Sequence, residues 1–201
     1  MRLKAPALFL FFAVLGSLFA GSAQAAEESA QEILFTPKSA FPAQGGPAVK
    51  YATFPAGRGV LVGGTGGVVL GKSFGLGFAG YSLATELLAD VGTLKRDIGM
   101  SYGGLHIEDS FFPQRLFYLN VAAIIGLGQS WSVTREAGAQ REYAAFFICE
   151  PELNLMLNVT PEIRVGLGIS YRATAGADLA PTLGSPLSGF AGTLTMFYGK
   201  L

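Results

Sequence analysis

The stretch Phe147–Val159, with the sequence FICEPELNLMLNV, changes character at every second residue. One set of positions is mostly apolar and consists of Cys149, Pro151, Leu153, Leu155, Leu157 and Val159. The intervening set is mostly polar and consists of Glu150, Glu152, Asn154, Met156 and Asn158. Because successive side chains of a β-strand point to opposite sides, this period predicts a strand with one apolar and one polar face.

The same period recurs along the chain and predicts eight strands. They span Val49–Phe54, Val60–Leu70, Phe74–Leu83, Asp97–Phe111, Leu116–Thr134, Tyr143–Val159, Ile163–Thr174 and Gly189–Lys200. Very short connections alternate with the longer loops Ala84–Arg96, Arg135–Glu142 and Ala175–Ser188. Short turns at one end and long loops at the other are typical of membrane β-barrels. We therefore predict an all-β fold, a closed antiparallel up-and-down eight-stranded β-barrel of the transmembrane type.

The N-terminus predicts export from the cytoplasm. Arg2 and Lys4 precede the apolar run Leu8–Phe19, and the small-residue pattern Ala23-Gln24-Ala25 follows. The apolar run is shorter than the roughly 20 residues that span a bilayer as a helix. We predict a signal peptide at residues 1–25 that is cleaved, a poorly structured segment at 26–44 and the barrel domain at 45–201.

Composition narrows the class of protein. Half of the residues are apolar and only 14% are charged, yet no long apolar run follows the predicted signal peptide. Strands with a lipid-facing side account for both facts. The formal net charge of zero argues against a nucleic-acid partner. Cys149 is the only cysteine and His106 the only histidine, so we expect no internal disulfide, no multi-histidine metal site and no cofactor.

Small residues on the polar faces predict a filled interior. In Ile163–Thr174 the apolar side chains alternate with Arg164, Gly166, Gly168, Ser170 and Arg172. An eight-stranded barrel is just wide enough for side chains to fill it. Glycines on some strands therefore leave room for large polar residues on others, which predicts a plugged lumen rather than a channel.

Four charged residues are expected in that lumen: Glu150, Glu152, Arg164 and Arg172. A three-residue turn at 160–162 aligns Val159 with Ile163 and therefore Glu150 with Arg172. We predict a contact between Glu150 and Arg172, with the carboxylates acting as counter-ions of buried arginines. Paired carboxylates also suit acid and base chemistry, which stays open as the alternative.

His106 is the one candidate catalytic residue. It shares a strand face with Glu108 and Ser110, but neighbouring positions on that face are about 6.5 Å apart, which exceeds a hydrogen bond. A histidine at the rim or in the lumen is the other interpretation. In the same strand the apolar phase shifts after Tyr102, which predicts a β-bulge at Gly103-Gly104. Aromatic residues near the strand ends predict two girdles, with Trp131, Tyr143, Phe146, Tyr171 and Phe190 on the loop side.

Several short motifs resemble those of small, largely uncharacterised outer-membrane β-barrel proteins of Gram-negative bacteria. They are GGPAVK at 45–50, GYSL at 80–83, YGGL at 102–105, EPELNL at 150–155, SYR at 170–172 and YGKL at 198–201. The likeness covers roughly Gly45 to the C-terminus. It implies a β-barrel located in the cell envelope, and it implies no particular activity.

These observations predict a monomeric outer-membrane barrel, surrounded by outer-membrane lipid, with a structural or surface-interaction role. Its specificity is expected in the external loops, which would meet an envelope or extracellular partner. The alternative is a soluble periplasmic lipocalin-like barrel that binds a hydrophobic ligand and turns its apolar residues inward. A third hypothesis is a lipid-modifying outer-membrane enzyme with His106 as its base.

Overall fold

A computed structural model describes residues 43–55, 57–71, 73–85, 87–91, 94–134, 141–176 and 187–199. The fold is all-β. Its strands are β1 (Ala43–Phe54), β2 (Gly57–Leu70), β3 (Phe74–Leu83), β4 (Leu87–Val91), β5 (Leu94–Phe111), β6 (Phe117–Thr134), β7 (Arg141–Asn158), β8 (Ile163–Ala175) and β9 (Gly189–Gly199). No helix among the described residues is long and apolar enough to cross a membrane. The predicted signal peptide at 1–25 and Leu201 lie outside the described residues.

Eight strands form a closed antiparallel barrel, as predicted. Each strand from β5 to β8 pairs with the next strand along the chain. β9 pairs with β1, β1 with β2, and β2 with β3. Pairing of β3 with β5 closes the wall. The registers give a stagger of about ten residues after one circuit, which requires strongly tilted strands.

The predicted loop Ala84–Arg96 differs from expectation. It contains β4, which pairs with the start of β5 and forms a hairpin at the end of the barrel that carries the longer loops, here called the loop end. Leu87, the first residue of β4, is buried in the hydrophobic core. The segment is too short to show a period in the sequence, so packing of Leu87 rather than alternation identifies it.

The strand faces are confirmed. Leu167 and Ile169 of β8 are 67% and 64% exposed, whereas Arg164, near the start of the same strand, is 2% exposed. On β7, Leu153 and Leu155 are exposed, and Glu150, Glu152, Asn154, Met156 and Asn158 are buried. The apolar side chains thus cover the exterior and the charged ones fill the interior, which is the reverse of the soluble ligand-binding alternative.

Inward-facing glycines make room for larger side chains on the adjacent strand, which are polar as predicted at Glu108 and Asn154 but apolar at Phe146 and Met156. At four such positions a Cβ atom would lie within about 2.6 Å of a partner side chain. The pairs are Gly75 with Glu108, Gly128 with Phe146, Gly166 with Met156 and Gly168 with Asn154. Each pair combines the smallest residue with a long or aromatic one, so the lumen is filled.

The predicted bulge at Gly103-Gly104 is wrong. β5 keeps an unbroken register with β3 from Asp109 to Ser101, and an unbroken register with β6 along its whole paired length. The apolar residues change from the inward to the outward face because the lumen is apolar at one end, where Ile98, Met100 and Tyr102 point inward.

An apolar core fills the loop end of the lumen. Its members include Phe54, Leu61, Leu87, Ile98, Met100, Phe146, Ile148 and Leu187. Phe146 is therefore a core residue and was wrongly assigned to the loop-side girdle. The other aromatic residues of that predicted set are half-buried or exposed on the exterior, namely Trp131, Tyr143, Tyr171 and Phe190.

Candidate functional site

An ionic cluster occupies the middle of the lumen. Lys50 Nζ on β1 lies 3.0 Å from Glu150 Oε1 on β7 and also bonds directly to Glu152. Glu150 accepts two further hydrogen bonds, from Tyr102 Oη (2.6 Å) and Ser170 Oγ (2.7 Å). One lysine thus pairs with two carboxylates in the protein interior. Tyr102 and Ser170 supply further hydrogen bonds to the buried oxygens of Glu150.

Lys50 is the central residue that sequence reasoning missed. Its ammonium group also lies 4.1 Å from the ring centroid of Tyr81, which belongs to β3. The signal for Lys50 was present, because Val49, Tyr51 and Thr53 alternate with it in the predicted first strand and place it on the inward face.

Arg172 does not form the predicted ion pair with Glu150. The register keeps these residues opposite one another, since Cys149 pairs with Ala173 and Glu152 with Ser170. Among the described residues, however, the ion pair of Glu150 is with Lys50, which reaches the carboxylate from across the lumen.

Arg172 instead binds backbone oxygens at the loop end of the barrel. Its Nε donates to Leu187 O (2.8 Å), and Nη2 donates to Thr53 O (3.3 Å). The guanidinium carbon lies 4.4 Å from the ring centroid of Phe54. The arginine therefore links β8 to the end of β1 and to the segment that leads into β9.

Arg164 makes equivalent contacts at the opposite end. Its Nη2 donates to Gln44 Oε1 (2.7 Å) and to Gly199 O (3.1 Å). Gln44 in turn donates to the Glu108 carboxylate. Arg164 therefore links β8 to the first residues of β1 and the last residue of β9.

The two arginines lie at the two ends of the seam where β1 meets β9. The ladder of this seam is interrupted between Gly45 and Ala48, where Gly46 and Pro47 have no partner in β9 among the described pairs. Proline lacks the N–H group that a ladder uses. Arg164 and Arg172 thus add side-chain bonds at a seam whose backbone ladder is incomplete.

His106 is not assembled into a catalytic set. It is buried on the inward face of β5, and its strand neighbours are bound to other groups. Glu108 accepts from Gln44 and from Asn120 Nδ2 (3.1 Å), and Asn120 also donates to Ser110 Oγ (3.1 Å). Within the described part of the chain, His106 forms no hydrogen bond with Glu108 or Ser110. The geometry favours a lumen histidine.

Space beside His106 is very small. A cavity of about 10 Å³ lies among Gln44, Thr65, Gly67, Gly77, His106, Glu108 and Phe197. That volume is close to the minimum for one water molecule. No group of three or more His, Cys, Asp or Glu side chains suited to a metal ion occurs in the described residues.

The exterior decides the class of protein, because every strand of the wall carries exposed apolar side chains around an ionic interior. The chain is a transmembrane β-barrel of the outer-membrane type. Its closed form, strand number and inverted distribution of polar residues agree with the class that the sequence resemblance implied.

Comparisons with solved structures give matches that extend over most of this chain. The barrel domain of OprF from Pseudomonas aeruginosa has a TM-score of 0.49 and 12% identity, over 78% of this chain and 96% of that chain. Neisserial surface protein A has a TM-score of 0.49 and 12% identity, over 79% and 96%. Ail of Yersinia pestis has a TM-score of 0.45 and 13% identity, over 78% and 94%. No family model and no curated protein sequence matches the chain. The membrane assignment rests on the exterior of this barrel rather than on these similarities.

Proposed function

We propose that the protein anchors its external loops at the surface of the outer membrane, where they meet an envelope or extracellular partner. The loops are Ala84–Arg96, Arg135–Glu142 and Ala175–Ser188. The observation that carries the proposal is the combination of a lipid-facing exterior with a filled lumen. Where the described side chains fill the lumen they leave little room for a ligand, so the loop end of the barrel is the surface that we expect to act in recognition.

The proposal includes export after removal of residues 1–25 and a monomeric barrel. The start of β1, the end of β9 and the turns at 71–73, 112–116 and 159–162 lie at one end of the barrel, which supports an inner, periplasmic side. The short turn between β1 and β2 lies at the other end. The three loops then lie outside. No observation of His106 favours the enzyme hypothesis, since its neighbours are bound to amides.

Protease access on intact cells tests the proposal. A cleavage sequence inserted between Arg135 and Glu142 is expected to be cut on intact cells. The matched control places the same sequence in the turn Phe112–Leu116, where cutting is expected only after the outer membrane is permeabilised. Cutting of the turn on intact cells, or protection of the loop, would overturn the orientation and with it the function.

A further inference from the structure

Part of the barrel wall projects beyond the rest at the loop end. β5, β6 and β7 each contain 18 residues, whereas β3 and β9 contain 10 and 11. In the described residues β7 pairs with β8 only as far as Phe147. It continues to pair with β6 up to Arg141. Three strands thus stand above the level where the barrel closes.

An aromatic row crosses the outer face of this projecting wall. Gly99 of β5 pairs with Trp131 of β6, and Trp131 pairs with Tyr143 of β7. The indole lies against Gly99, because a Cβ atom there would be 2.2 Å from Trp131 Cε2. Tyr143 is 57% exposed. The indole therefore rests on the backbone of β5, and Tyr143 is its exposed cross-strand neighbour on the other side.

The row stands above the lipid-facing belt and is continuous with it. Phe147, 69% exposed, is an outward residue of the belt on the same face of β7 as Tyr143. Tyr143 lies four residues further along β7, about 13 Å in an extended strand. A lipid that packs its acyl chains on Phe147 and Leu127 thus carries its headgroup to Trp131 and Tyr143.

Polar side chains lie next to the aromatic row on β5 and β6. Ser101 and Gln129 are cross-strand partners immediately below it, and Gln129 is exposed. Asp97 and Val133 are partners immediately above it. Acyl chains at this height would desolvate the amide of Gln129 without replacing its hydrogen bonds. A sugar ring suits the site better, since its C–H face packs on an aromatic ring while its hydroxyl groups bond to amide and hydroxyl side chains.

We propose that the row formed by Trp131 and Tyr143 binds the sugar headgroup of a glycolipid in the outer leaflet. The inference rests on the proposed function, because it requires the loop end of the barrel to face outward. The surface of the barrel would thus recognise one lipid class, in addition to the partner met by the loops.

Fluorescence tests this inference, because Trp131 is the only tryptophan of the chain. The full chain is inserted into phosphatidylcholine vesicles that contain increasing amounts of purified lipopolysaccharide. A saturable change in tryptophan emission is expected, and the deacylated core oligosaccharide is expected to reproduce it at higher concentration. Phosphatidylglycerol, which is anionic but lacks the sugar core, should leave the emission unchanged.

Variants separate the sugar site from the lipid belt. Tyr143→Ala and Gln129→Leu are each expected to weaken the response about fivefold, the effect of losing one contact of about 1 kcal/mol. The matched control is Tyr51→Ala, an exposed aromatic residue of the belt on β1, which should respond like the parent protein. Heat-dependent electrophoretic mobility shows which variants are folded, and Gln129→Leu keeps the test valid if Tyr143→Ala does not fold.

Tryptophan emission that stays the same as lipopolysaccharide is added would overturn the sugar site. So would an undiminished response in both variants. If these results occur while the inserted loop sequence is cut on intact cells, only the sugar site fails. If the loop is protected, the proposed function fails as well.

Discussion

Lys50 Nζ lies 3.0 Å from Glu150 Oε1, and neither side chain reaches solvent. The pair joins β1 to β7 across the lumen, past the intervening strands β8 and β9. Because Lys50 also bonds to Glu152, a single ammonium group forms ion pairs with two carboxylates. The cluster therefore depends on Lys50 more than on either carboxylate.

Removal of Lys50 is expected to destabilise the barrel strongly. Lys50→Met leaves Glu150 and Glu152 buried without their cation, and such a loss typically costs about 3–5 kcal/mol. Denaturant titration of the barrel in phosphatidylcholine vesicles measures the change in the free energy of unfolding. The triple variant with Glu150→Gln and Glu152→Gln should recover most of it, and Arg58→Met, at an exposed position, should have no effect. Equal midpoints for Lys50→Met and the parent would contradict the prediction.

A methyl group at Gly128 is expected to disturb the apolar core. The Cβ atom of Gly128→Ala would lie 2.2 Å from Phe146 Cζ, whereas no atom lies within 4 Å of a Cβ at Gly66. Overpacking of a filled core costs about 1–3 kcal/mol. Gly128→Ala should therefore lower the unfolding free energy by this amount while the matched control Gly66→Ala leaves it near the parent value. Similar stability of both variants would show that the apolar core around Phe146 is loosely packed.

The strand faces were predictable because a barrel wall between lipid and lumen imposes a strict period of two. Phe147–Val159 shows that period without interruption, so its inward and outward residues were assigned correctly. The error at Gly103-Gly104 came from the assumption that the inward face is polar at every height. Ile98 and Met100 lie where the lumen holds an apolar core, and nothing in their own strand distinguishes that core from lipid.

Partners across the lumen were less predictable than partners within a hairpin. The turn at 160–162 fixed the register of β7 and β8 correctly, with Asn158 opposite Arg164. The contacts of Lys50 and Arg172 join strands that are far apart in sequence, and they depend on barrel radius and strand tilt. Those quantities follow from all eight registers together.

The two seam arginines are expected to protect opposite ends of the β1–β9 ladder. Arg164→Met removes bonds to Gln44 and the end of β9, so amide exchange at Gly45 should accelerate. Arg172→Met removes the bond to Thr53 O, so exchange at Ala52 should accelerate instead. A loss of about 1–3 kcal/mol corresponds to an acceleration of about fivefold to 160-fold. Each variant is the control of the other in hydrogen-exchange mass spectrometry, and uniform acceleration along β1 in both would contradict the assignment.

A charge on the exterior of β8 provides a direct test of contact with hydrocarbon. Leu167 is exposed in the middle of the outward face, so Leu167→Arg would place a guanidinium in the membrane interior at a cost of about 2–4 kcal/mol. Gln129→Arg places the same side chain on the projecting wall, where the expected cost is about 0–1 kcal/mol. Unfolding titrations in phosphatidylcholine vesicles measure both. If Leu167→Arg is as stable as Gln129→Arg, the exterior of β8 contacts water, and the membrane-spanning assignment of this wall is refuted.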